Sequence, residues 1–132
     1  MRNEKDDIEQ YISYKIGKSN KSLRAASLMI ENEFYDEAIN RIYYACFYIV
    51  TALLFKNNID AKTHAGVRTM MHKHFVKHNL ISQSDGAFYS DIFEYRHSSD
   101  YDDYVEFEKD VVEKLFIEAE KFTNNLHNLL TQ

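Results

Sequence analysis

The chain has 132 residues, 45% of them apolar, with a net charge of −5, no proline and three glycines. That length suits one domain with a real core, and the composition favours long helices over elaborate turns. The charge excludes a global pull toward nucleic acid or anionic lipid, and the lone Cys46 excludes a disulfide framework.

The opening MRNEKDDIEQ lacks the apolar run of a signal peptide, so a reduced, cytoplasmic setting is expected. Periodicity predicts a first helix over Asp6–Ile30, with Ile8, Ile12, Ile16, Leu23, Ala26 and Ile30 on one face. Gly17 interrupts it at a cost of about 1 kcal/mol, which points to close helix packing there. Glu31–Phe34 reads as a break, with Asn32 as its left-handed residue.

A central helix follows over Tyr35–Phe55. Its last fourteen residues, Ile42–Phe55, carry no charge. Ala38, Ile42, Cys46, Ile49 and Leu53 form one stripe, and Ile39, Tyr43, Val50 and Leu54 form another, so neighbours must surround it. Fourteen residues reach only about 21 Å against a hydrocarbon layer of roughly 30 Å, which predicts a buried core helix and no membrane association.

After a break at Asn57–Thr63, Thr63 is the expected cap of a third helix, His64–His78. A polar loop, Asn79–Asp85, leads to a shorter helix, Gly86–Tyr95, with Ser84 or Asp85 as its cap. Arg96–Asp103 reads as a second loop. The last helix shows the clearest rhythm, through Val112, Leu115, Ala119, Phe122, Leu126 and Leu129, with Asp103 and Glu106 as a capping box. Nothing alternates with period two. The predicted fold is an all-α antiparallel bundle of three long and two shorter helices, one domain over 1–132.

Charge is unevenly placed. Lys15, Lys18, Lys21 and Arg24 stand alone between Glu9 and Glu31, and Lys62, Arg68, Lys73 and Lys77 occupy an acid-free stretch. They offer a phosphate-contacting surface if the blocks share a side, or a solvated face if they do not. His74 and His78 are one turn apart but lack a nearby third ligand, and Glu94–His97 lacks the second Glu-x-x-His that a di-iron bundle uses, so neither metal nor cofactor is expected. Arg96–Tyr104 gathers Arg, His, three Asp and two Tyr at a helix junction. Helix capping accounts for the aspartates and leaves Arg96 and Tyr101 open to function.

Several ordered pieces together resemble one family. These are Asn40-Arg41-x-Tyr43-Tyr44-Ala45-x-Phe47, Ala52-Leu53-Leu54, Thr63-His64-x-Gly66, Phe75-Val76-Lys77 and Arg96-x-x-x-Asp100-Tyr101 before a long last helix. Over Leu23–Leu129 the chain is similar to the HEPN domain, in its small stand-alone prokaryotic form. The resemblance implies a homodimeric bundle, often encoded beside a minimal nucleotidyltransferase as a toxin–antitoxin-like pair, and binding of RNA or a nucleotide. Arg41, Tyr44, His64 and Asp100 are then candidate ligand-binding residues.

The resemblance also implies a ribonuclease site, used by many family members, of Arg and then His with four to six residues between them, the His acting as general acid–base. Here those positions are Tyr101, Asp102 and Asp103. Tyrosine, with a pKa near 10, is a poor base at neutral pH. The expectation is a dimeric binding and interaction module. The alternative is a ribonuclease toxin with a rearranged site of Arg96, Tyr101 and His97.

Overall fold

A computed structural model describes residues 3–101 and 106–132. The described residues form helices α1 (Glu4–Glu31), α2 (Tyr35–Lys56), α3 (His64–Met71), α4 (Gln83–Tyr101) and α5 (Lys109–Leu130), with no strand among them. The all-α bundle is as the periodicity requires.

Its axis is α2, which touches each of the other four helices. Length and composition would let α2 cross a membrane, but most of it is enclosed: Ile39, Ile42, Tyr43, Cys46 and Val50 are wholly buried. Burial also pushes the Cys46 thiol pKa far up, leaving it protonated.

Against α2, α1 buries small residues, namely Ser19, Ser22 and Ala26, while Ile12, Ile16 and Leu23 are only partly covered. Ser19 donates to the Ala45 carbonyl at 2.7 Å, which satisfies a buried hydroxyl and draws the two helices together. Gly17 has no part in this contact, because a Cβ there would meet nothing within 4 Å.

Helix ends depart from the sequence reading in instructive ways. Asn3 caps α1, accepting from Asp6 N at 2.8 Å. The left-handed residue after α1 is Glu33 (φ 64°), one position beyond Asn32. Phe34 N bonds to Met29 O at 2.8 Å and Glu33 N to Ile30 O at 3.1 Å, a full Schellman motif. The same arrangement closes α2 at Asn58 (φ 58°) and recurs at Asn79 (φ 60°). A chain this poor in glycine ends three helical segments on non-glycine residues.

Beyond Met71 the third helix widens into a π turn, His72–Val76, in which Lys77 N reaches His72 O at 2.9 Å. Ser82, rather than Ser84 or Asp85, caps α4, its Oγ accepting from Asp85 N at 3.0 Å. The fourth helix is 19 residues long and runs straight through the predicted loop to Tyr101. For the last helix, Asp103 lies outside the described residues and Glu106 precedes the first turn, so no capping box forms at Lys109. Its buried seam runs through Val112, Leu115, Ala119, Phe122 and Leu126 and finishes on Leu130 rather than Leu129. A 3.6-residue turn drifts past a strict three–four rhythm by that point.

Candidate functional site

The site forms where α2, the start of α3 and the end of α4 meet. Thr63 accepts from Gly66 N at 2.9 Å and so caps α3, which fixes His64 at the first helical position. A Cβ on Gly66 would come within 2.9 Å of Thr63 Oγ1. The Thr63-His64-x-Gly66 motif is therefore a cap, its accommodating gap, and the imidazole they present.

That imidazole lies flat on Phe47, with centroids 4.3 Å apart and planes 11° from parallel, and its Nδ1 is 2.7 Å from the Tyr43 hydroxyl. Burial raises the Tyr43 pKa to about 12, so the phenol keeps its proton. Burial, and then the charge of Arg96, lower the His64 pKa below its usual value. In the tautomer that accepts from Tyr43 at Nδ1, Nε2 carries the ring proton and is the nitrogen left for a ligand. Behind Tyr43 stands Tyr89, wholly buried, whose hydroxyl is near enough to oppose part of the upward shift of the Tyr43 pKa.

Arg96 approaches from α4. Its guanidinium lies over Tyr43 at 5.2 Å and Tyr44 at 5.5 Å, a cation–aromatic seat. Nε is 2.9 Å from the Asp100 carboxylate one turn on, an ion pair in which the N–H makes no hydrogen bond among the described residues. Arg41 lies over Tyr44 at 5.0 Å, with its fork held on Asn40 Oδ1 at 3.1 and 2.8 Å. One tyrosine thus carries two guanidinium groups. A hollow of about 440 Å³ opens beside them, lined by Asn40, Arg41, Ser99, Asp100 and the carboxylates Asp36 and Glu37.

Of the residues singled out in the sequence, Arg41, Tyr44, His64, Arg96 and Asp100 converge here. Asp100 pairs with Arg96 instead of capping the last helix. His97 and Tyr101 occupy the next strip of α4, their rings 4.7 Å apart. Arg68, which matches the Arg-to-His interval with His74, pairs with Glu94 at 2.9 Å and lies 4.0 Å over Phe93. Tyr43 sits in the buried stripe that periodicity assigns to it, with its hydroxyl tied to the site's own imidazole, whereas spacing alone does not mark Phe47 as the bed of His64.

The HEPN domain model matches residues 12–129, nearly the whole of the described bundle. This chain belongs to the HEPN domain family. A UPF0332 protein of Thermotoga maritima is 37% identical over 125 residues, covering 95% of each chain. A Methanocaldococcus jannaschii protein named "Putative toxin MJ0142" is 37% identical over 115 residues, 87% of this chain and 78% of its own. A third relative, from the same archaeon and named "Putative toxin MJ0605", is 32% identical over 126 residues, 96% and 93% of the two chains. Within this HEPN domain the guanidinium of Arg96 has aromatic and carboxylate company from α2 and α4, and its nearby imidazole comes from α3.

Proposed function

We propose that this HEPN protein is a homodimeric binding module, the toxin-like half of a pair with a minimal nucleotidyltransferase, and that it binds RNA or a nucleotide at the Arg96 site. The observation that carries this reading is the sharing of Tyr44 by Arg41 and Arg96. Two permanently charged forks against one aromatic ring suit a phosphate beside a base. The relatives named as toxins support the paired role. Tyr101, where the family's usual histidine falls, supports binding without turnover.

A ribonuclease remains the second reading, favoured by His64. Its imidazole is close enough to Arg96 for the cation to lower its pKa. In that reaction the ring adopts the other tautomer, with Nδ1–H donating to the Tyr43 hydroxyl, so that Nε2 takes the ribose 2′-hydroxyl proton, the 2′ oxygen attacks phosphorus, and the 5′ oxygen leaves and takes a proton from water. Arg96 steadies the charge on the phosphate.

Incubating purified protein with labelled RNA separates the two. Intact RNA, bound by the parent and released by Arg96→Ala, supports the binding module. Cleavage abolished by both Arg96→Ala and His64→Ala supports the enzyme.

A further inference from the structure

We infer that a second surface, along the flank of α1 that borders α2, is a track for single-stranded RNA leading away from the Arg96 site. Tyr11, Tyr14, Lys15, Lys18, Lys21, Ser22 and Ala25 recur at steps of three and four, so one helical stripe holds them all. It spans about 21 Å of helix.

Lys15, Lys18 and Lys21 make no ion pair among the described residues. Their contacts are with rings instead. Lys15 Nζ lies 5.5 Å from the Tyr11 centroid and 5.4 Å from Tyr48, and Lys18 Nζ lies 5.3 Å from Tyr14 and 4.9 Å from Tyr48. Cations and aromatic faces therefore alternate, and Tyr14 is 58% exposed.

At the inner end a hollow of about 220 Å³ is lined by Lys18, Lys21, Ser22, Ala25, Arg41 and Tyr48. Two lysines and an arginine ring it, while the serine and alanine of α1 leave it open. Arg41 belongs equally to the Tyr44 cluster, and Tyr48 lies 5.7 Å from Tyr44, so the track is continuous with that site.

Ammonium groups suit phosphates, and tyrosine faces suit unpaired bases, which a duplex keeps stacked inside. A membrane surface would favour outward leucine or phenylalanine between the lysines, and the stripe has neither. An acidic peptide would not use the rings.

This inference rests on the proposed binding role of the Arg96 site, and the experiment keeps the two apart. Fluorescence anisotropy would compare a labelled single-stranded RNA of about twelve nucleotides with a dinucleotide. The Lys18→Gln, Lys21→Gln double variant should weaken the longer strand and lower its log–log salt slope by about 1.4, at roughly 0.7 per lost phosphate contact. Dinucleotide binding should not change. Tyr14→Ala should weaken the longer strand about fivefold or more at an unaltered salt slope.

If these variants bind the longer strand like the parent while Arg96→Ala loses both ligands, the track is overturned and the Arg96 site stands. If the lysine pair matters and Arg96→Ala does not, the track stands and the other reading falls. Preference for duplex RNA, or binding only to phosphatidylglycerol vesicles, also overturns the track.

Discussion

The Tyr43 hydroxyl lies 2.7 Å from His64 Nδ1, joining the middle of α2 to the first turn of α3. Tyr43→Phe keeps the ring and removes this bond, along with the contact of its hydroxyl with Tyr89. It should lower stability by about 1 kcal/mol in urea denaturation. Nitrogen chemical shifts should show His64 losing its preference for the Nε2-protonated tautomer. Unchanged shifts would mean the bond does not set the tautomer.

Acid should weaken the fold through two histidines. The His64 pKa is lowered by burial and then Arg96, and that of His72 by burial and then Arg68, with a backbone bond from Gly86 opposing. Each folded pKa lies below 6.5, so as pH falls through 6.5 the unfolded chain binds protons first. Stability held above 6.5 is lost in that window and levels off below the folded values. The His64→Gln, His72→Gln double variant should flatten the decline in urea midpoint, and Arg96→Ala should raise the His64 pKa in an NMR titration. An unaltered titration would remove Arg96 from the list of causes.

Glu33 adopts φ 64°, a left-handed conformation that costs a side-chain-bearing residue about 1–2 kcal/mol. Glu33→Gly relieves that cost but frees the unfolded chain, so a net gain of about 1 kcal/mol is expected. A rise in thermal midpoint checks it; a fall would mean the Glu33 side chain stabilises the turn.

Two glycines should respond in opposite senses to alanine. At Gly86 a Cβ would sit 2.9 Å from Val76 Cγ2 and 3.1 Å from His72 Cε1, the latter on a ring held to Ser90 Oγ at 3.1 Å. Gly86→Ala should cost about 1–3 kcal/mol by overpacking. Gly17 faces open space within α1, so Gly17→Ala should add about 0.5–1 kcal/mol. Chemical denaturation of both variants tests this, and equal effects would contradict the packing described at Gly86.

The helices were legible because burial writes its period into the sequence. The two apolar stripes of α2 and the seam of α5 are where one-dimensional pattern and three-dimensional contact coincide. Thr63 as a cap was equally readable, since capping depends on three adjacent residues. The extent of α4 was not. Arg96–Tyr101 is polar enough to pass for a loop, and what continues the helix is the Arg96–Asp100 pair one turn apart together with the seat of Arg96 on Tyr43 and Tyr44. Those rings are more than fifty positions away in the chain. For the same reason the meeting of His64 with Arg96 is a product of packing that residue spacing does not reveal.

The widened turn at His72–Val76 acts as a phase adjustment. One extra residue per turn offsets the angular register of everything before it relative to everything after. The first half of that helix can then aim His64 at Tyr43, while the second half sets Val76 and His72 around the notch at Gly86. Winding the same residues as an ordinary α-helix would rotate one half by about 100° against the other, so the two docking tasks could not both be met.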